Sequence, residues 1–496
     1  MISLLAALLL CLLAGGASGE TTLPPADDEW IRVTTPHFSI VSNARQGASK
    51  EIALQLERFR ALVEGEGSVS SRPSTIVIFR DEVSYWPYKM NRQGKPANVA
   101  GHFASTRDGN YIGVNADAGE TPYSVIFHEY THYLLNQTFA QIPLWMNEGR
   151  AEFFSTVRMR GDRAEVGRPV EHHVRLLRQR KMLPLDQVFL MTTKSPGYNE
   201  GTRQGLFYAQ SWVLYHYLMM NSAEQRRRLP FFLRRMEEGD VPTETLFEST
   251  YGYDFEQLEK KLKLYVQANM FNFLEYRDRD LGSVESQVQP MTRADYLHEL
   301  GDYLAHVTPW RAEDAAAHFR ESLRLDPKQA RSHASLARLL EDEGKMLEAN
   351  EHYAAAIENA GEDYFPFFAY GMSSVDRFLA RKPKIFARPK QIPKEALAAR
   401  GLLARSLSLS PGLAEAHYAL GITFLFDPNG IAPAIEAFET AREMMPTRMD
   451  VVYYEVLACL QAGDRKSATA LIEQVLEPSG EKNWVQPARQ ALSSFR

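Results

Sequence analysis

Cysteine is nearly absent: the chain of 496 residues holds two, Cys11 and Cys459. Cys11 lies in an N-terminal apolar run, so removal of that run leaves one thiol and no internal disulfide. Thiolate metal sites are excluded with it, and any metal must be held by histidine and carboxylate. Cys459, in an apolar helical stretch, reads as a small core residue. An excess of one charge is also lacking. Lys and Arg number 56 against 62 Asp and Glu, a net charge of −6. With no basic surplus to neutralise phosphates, nucleic acid is not an expected partner. The short basic runs, Arg178 to Lys181 and Arg226-Arg227-Arg228, have acidic neighbours and read as solvated helix faces.

Long apolar runs are missing beyond the start of the sequence. Residues Ile2 to Ala14 are almost wholly apolar, and Gly15-Gly16-Ala17-Ser18-Gly19 supplies small residues suited to a signal peptidase. The run is shorter than the roughly 18 residues a membrane span needs. Residues 1–19 are therefore expected to be a cleaved secretory signal. The mature protein is then expected to have no membrane span and to be periplasmic or extracellular.

What remains is ordinary for a folded protein, with 45% hydrophobic and 24% charged residues. Its length calls for two or three domains. After a linker, residues 30–275 open with strand-like material from Trp30 to Val41, a helical stretch from Lys50 to Val63, and a strand from Ser74 to Phe79. Two β-type runs, Val99 to Ala104 and Tyr111 to Asn115, flank Arg107-Asp108-Gly109-Asn110, a hairpin signal. From Pro122 the pattern reads as helical nearly throughout. A small sheet followed by a helical subdomain is an α+β layout.

Residues 290–496 repeat themselves. Ala349, Tyr353 and Ala356 follow Ala315, Phe319 and Ser322 by 34 residues, and Pro446 follows Pro411 by 35. Helices are expected to end at Leu325-Asp326-Pro327, Leu409-Ser410-Pro411 and Met445-Pro446, with Leu300-Gly301, Leu336-Ala337 and Leu420-Gly421 before them. The pattern resembles the tetratricopeptide repeat, with small residues where paired helices touch and aromatics filling the holes. About five units fit between 293 and 480, an all-α solenoid expected to bind a protein partner. The third unit is irregular. Arg377 to Lys394 is basic and free of acid, and reads as a solvated loop or as a docking arm for an acidic surface.

The chemistry concentrates at His128-Glu129-Tyr130-Thr131-His132 and Asn147-Glu148-Gly149-Arg150-Ala151-Glu152. On a helix, His128 and His132 stack on one face with Cβ atoms about 6 Å apart. Two imidazoles so placed can reach one ion at about 2.0–2.1 Å. Glu129 is rotated by about 100° and can reach the same space without being a ligand. Glu148 lies on a second helical stretch, Trp145 to Val157, and Glu152 falls four residues later on the same face.

These residues resemble the gluzincin clan of zinc metallopeptidases, which includes thermolysin and the M1-type aminopeptidases. Pro143-Leu144-Trp145-Met146-Asn147-Glu148-Gly149 and Tyr208-Ala209-Gln210-Ser211-Trp212 look, more narrowly, like the peptidase-MA-like domains of secreted bacterial proteins. The metzincin pattern does not fit, because Leu135 and Thr138 stand where it needs Gly and His. The resemblance implies one Zn2+ per protein molecule on His128, His132 and Glu148. It implies Glu152 as the carboxylate behind a ligand histidine, and Glu129 as the base for a zinc-activated water that cuts a peptide bond. Tyr208 is the candidate donor to the developing oxyanion, with Tyr198 second. His172-His173 is a weak metal candidate, since adjacent histidines point to different helix faces. His102 reads as structural, on a strand whose edge could bind substrate backbone. The expected function is an exported zinc metallopeptidase acting on peptides or proteins. The rival expectation is a non-catalytic tetratricopeptide scaffold with a degenerate peptidase domain.

Overall fold

The structure, a computed structural model, describes residues 23–64, 74–89, 91–92, 95–96, 101–106, 109–117, 121–138, 142–192, 195, 201–238, 243–268, 270–277, 285–307, 311–381 and 391–495. The expected signal, residues 1–19, and Tyr198 lie outside the described residues.

The strand-like stretch from Trp30 to Val41 forms two strands, β1 (Ile31–Thr34) and β2 (Ser39–Ser42), paired antiparallel. Pro36 sits in the turn between them, where its missing N–H removes no ladder bond. Helix α1 (Gln46–Glu64) crosses over to β3 (Ser74–Phe79), which runs parallel to β2. After a short α2 (Glu82–Tyr85) come the two-residue strands β4 (Asn91–Arg92) and β5 (Lys95–Pro96). The hairpin is β6 (Gly101–Ser105) and β7 (Asn110–Asn115), with β7 parallel to β3.

The helical part begins with α3 (Thr121–Thr138) and α4 (Leu144–Ser155). It is interrupted by a hairpin the sequence reading missed, β8 (Arg158–Arg160) and β9 (Arg163–Val166). The signal was present: Gly161, at φ 58°, adopts the left-handed turn conformation that glycine tolerates best. Then follow α5 (Glu171–Gln179), α6 (Leu185–Leu190), α7 (Gly201–Met220), α8 (Ala223–Glu238), α9 (Thr243–Tyr251) and α10 (Phe255–Ala268). Strand β10 (Leu274–Arg277) joins β9 in a three-stranded sheet, and β11 (Gln287–Pro290) joins β1. The main sheet has the order β11-β1-β2-β3-β7-β6. One of its two outer strands, β11, therefore comes from the link between the two expected domains.

Five helix pairs follow: α11 (Arg293–Val307) with α12 (Ala312–Leu325), α13 (Ala330–Asp342) with α14 (Met346–Asn359), α15 (Tyr364–Ala380) with α16 (Lys394–Leu409), α17 (Ala414–Leu425) with α18 (Ile431–Met444), and α19 (Met449–Ala462) with α20 (Arg465–Leu471). A last helix spans Lys482–Ser494. Glycine and aromatic interlock within pairs. A Cβ on Gly301 would come within 2.7 Å of the Phe319 ring, and one on Gly421 within 2.7 Å of Phe438. Residues 382–390 of the basic segment lie outside the described residues. Its described basic ends meet acids, Arg377 with Glu341 at 3.2 Å and Arg381 with Glu395 at 2.6 Å.

Alternation along β3 gives the sheet two buried faces. Ile76 and Ile78 join the core under α1 and α3, where Phe59 stacks on Phe127 with ring centres 3.9 Å apart. Val77 and Phe79 face the other way, against Tyr296, Leu300 and Tyr303 of α11. Strand β7 admits that helix only because position 113 is glycine: a Cβ there would lie 2.1 Å from the Tyr303 hydroxyl. Arg32 of β1 reaches Glu299 of α11 at 2.6 Å. The sheet is thus roofed by the first helix of the array.

Candidate metal centre

Helix α3 presents His128 and His132 one turn apart, and α4 lies beside it. Gly149, next to Glu148, sits against α7, and a Cβ there would come 2.4 Å from the Ser211 carbonyl oxygen. The two motifs singled out in the sequence therefore meet in space. Gln210, fully buried, accepts a hydrogen bond from the Leu183 N–H at 2.8 Å and donates one to the Leu183 carbonyl at 2.6 Å, clamping the loop before α6.

His128 Nε2 and His132 Nε2 stand 3.0 Å apart. Glu148 Oε2 is 3.6 Å from the first and 3.4 Å from the second. Donors bound tetrahedrally at 2.0–2.1 Å would be separated by about 3.3–3.4 Å, so this triangle has the dimensions of one face of a zinc site. The far nitrogens face oxygen atoms. Asn147 Oδ1 accepts from His132 Nδ1 at 2.8 Å. Glu152 Oε1 faces His128 Nδ1 at 3.6 Å. Were Nδ1 protonated on both rings, both Nε2 lone pairs would be free to meet one cation together with the Glu148 carboxylate. The donor set fits zinc.

Electrostatics agree with the geometry. Burial pushes the Glu148 carboxyl up, but hydrogen bonds from His128 and His132 and their charges outweigh it and hold the group at about 2. Burial opposes a charged His132, yet Glu148, Asn147 and Glu129 together raise its pKa. Glu152 is likewise pushed up by burial and pulled lower overall by His173, His128 and His172.

Glu129 and Tyr208 line the same cleft as His128, with Tyr208 projecting from α7. His173 does not join the donor triangle. It is buried, and its Nε2 lies 3.2 Å from Glu152 Oε2, so Glu152 bridges His128 and His173. His172 lines the cleft instead, and burial beside His173 lowers its pKa. His102 lies on β6 opposite Gly113. Sequence reasoning gave no role to Asn147 and weighed His173 only as a weak metal candidate, never as a partner of Glu152. Asn147 carried a signal in its position beside Glu148; His173 carried none, since nothing local ties it to Glu152.

Comparison with known proteins adds little chemistry. A family model described as "Protein of unknown function (DUF1570)" matches residues 123–236, a span that holds every residue of the centre. No curated protein matches the sequence. Among solved structures it is similar to YrrB, titled a TPR protein with an unusual peptide-binding site, at 17% identity and TM-score 0.31 over 40% of this chain and 92% of that one. MamA protein is similar at 20% identity and TM-score 0.30, over 38% and 94%. The pilF protein of Pseudomonas aeruginosa is similar at 20% and 0.31, over 41% and 88%. The helix pairs between 293 and 471 themselves give the region its tetratricopeptide-like solenoid form. No helix among the described residues is long and apolar enough to cross a membrane.

Proposed function

We propose that the protein is an exported zinc-dependent peptidase of gluzincin type. The observation that carries this reading is the donor triangle of His128, His132 and Glu148, with sides of 3.0 to 3.6 Å. Zinc held there would supply a Lewis acid that acidifies water and polarises a carbonyl. Glu129, lining the adjoining cleft, takes the proton of the attacking water and passes it to the leaving amine, so that hydroxyl adds to carbon and hydrogen to nitrogen. Tyr208 donates its hydroxyl to the developing oxyanion. Asn147 and Glu152 hold the two imidazoles in the tautomer that leaves Nε2 free to ligate. Export rests on the apolar segment Ile2 to Ala14.

A second reading has an observation of its own. The five helix pairs form an array suited to gripping a protein segment, and a scaffold that binds without cutting needs nothing more. It asks less of the molecule than the hydrolase does. Replacing Glu129 by Gln separates the two. The parent protein is expected to purify with one zinc per molecule and to cut peptides in a mixed pool. The Glu129→Gln protein should keep its zinc and lose about 100-fold or more in rate. A parent that binds zinc but cuts nothing in the pool leaves the scaffold standing.

A further inference from the structure

The cleft beside His128 and Glu129 has a volume of about 730 Å³, within the range of about 300–1,000 Å³ usual for ligand clefts. One wall is the part of α3 that carries both residues. Another is the segment 155–160, every residue of which lines the cleft. Side groups of a strand point alternately to its two faces. An unbroken run of lining residues therefore means that the strand turns an edge, not a face, toward the cavity. Residues 158–160 of that run are β8, the hairpin strand that sequence reading missed. Among the described residues β8 pairs only with β9, as an outer strand of β10-β9-β8.

The hairpin fixes which backbone groups that edge offers. Its turn has two residues, Gly161 and Asp162, so the flanking Arg160 and Arg163 form the hydrogen-bonded pair that closes it. Bonded and unbonded pairs alternate along an antiparallel ladder, which makes Met159 and Ala164 an unbonded pair whose backbone groups point apart. The third strand agrees: Ala164, turned away from β8, stands opposite Tyr276 of β10. Met159 is turned the other way. Its N–H and C=O point off the open edge toward the cleft, and neither has a hydrogen-bond partner among the described residues. The outward N–H two residues earlier, that of Val157, already donates to the Phe154 carbonyl at 3.1 Å.

We propose that a substrate segment in extended conformation adds to β8 as a further strand, exchanging backbone hydrogen bonds with the N–H and C=O of Met159 as it passes the metal centre. This rests on the hydrolase reading and names its substrate class: unfolded polypeptide, read through its backbone with little regard for its side groups. A helix does not qualify, because its own N–H and C=O groups are already paired with each other.

The test uses the full-length protein carrying Glu129→Gln and saturated with Zn2+, so that binding is read without turnover. Fluorescein-labelled peptides from a mixed pool are ranked by anisotropy, and the tightest is remade with one N-methyl group at each position in turn. Methylation should weaken binding about tenfold at the one residue whose N–H meets the Met159 carbonyl. The residues on either side, whose N–H groups point away from β8, should tolerate it. On the protein side, Met159→Pro removes an N–H that no ladder bond uses. That variant should keep its melting temperature and zinc while binding falls about tenfold. Met159→Leu retains the N–H and should bind as the parent does. Should Met159→Pro melt early, the methylation series decides. A pool without a binder, binding indifferent to methylation at every position, or a folded Met159→Pro protein that binds like the parent overturns the proposal. Failure of the hydrolase reading looks different: a methylation-sensitive peptide binds, yet the Glu129-containing parent never cuts it.

Discussion

Adding one methyl group at Gly149 tests whether the centre depends on the contact between α4 and α7. A Cβ at this position would lie 2.4 Å from the Ser211 carbonyl oxygen and 2.9 Å from Tyr215 Cβ, where ordinary contact begins at 3.4 Å. The first clash is with backbone, which cannot swing aside, so α4 must retreat by about 1 Å. Overpacking of this kind costs about 1–3 kcal/mol, against about 1 kcal/mol gained when alanine replaces glycine inside a helix. We expect Gly149→Ala to lose about 1 kcal/mol net, a fall of roughly 2–4 °C in melting temperature. Glu148 travels with α4, so zinc affinity should fall about tenfold or more, measured by competition with a chelator. Gly401, inside α16 with no atom within 4 Å of its ideal Cβ, is the control. Gly401→Ala should gain about 0.5–1 kcal/mol. If Gly149→Ala melted at or above the parent temperature with unchanged zinc affinity, the packing argument would be wrong.

Two further outcomes are expected. Glu152→Gln should weaken zinc binding by about 10–100-fold while the fold survives, because it loosens His128 without removing a ligand; unchanged affinity would show that His128 needs no help. Acid should destabilise the protein partly through His216, whose burial lowers its pKa to about 4. The unfolded polypeptide takes up a proton near pH 6.5 that the folded protein refuses until about 4. Stability from this group is therefore full above 6.5 and falls across that window, by about 3 kcal/mol in all. His216→Phe should flatten that part of the stability–pH curve in urea titrations, and an unaltered slope would remove His216 from the account.

Elements fixed by local pattern could be read from the sequence. The β-branched run at 74–79, the glycine-turned hairpin at 101–115 and the helix ends before Pro327, Pro411 and Pro446 all follow from short-range rules. The spacing of His128 and His132 put two donors on one face for the same reason. Glu148 was reached through a family resemblance, since helix spacing alone does not say how α4 lies against α3. Long-range partners were hidden. The contact of Glu152 with His173 joins two helices separated by a hairpin, and the packing of Tyr303 over Gly113 spans almost 200 residues. Gln210 stood out within a motif, but its use as a clamp on Leu183 depends on tertiary placement. The β8–β9 hairpin was missed because charged residues at Arg158, Arg160 and Arg163 masked its alternation.

The roofing of the sheet by α11 limits how the protein can be dissected. A fragment that stopped at Pro290 would bare Val77, Phe79 and Tyr111 to water and should clump or melt, whatever its chemistry. A faithful truncation has to keep at least the first helical hairpin of the solenoid. The same seam joins the sheet to the array through packed contacts, Tyr303 on Gly113 and Arg32 with Glu299, so the two halves share one core rather than a bare connecting strand.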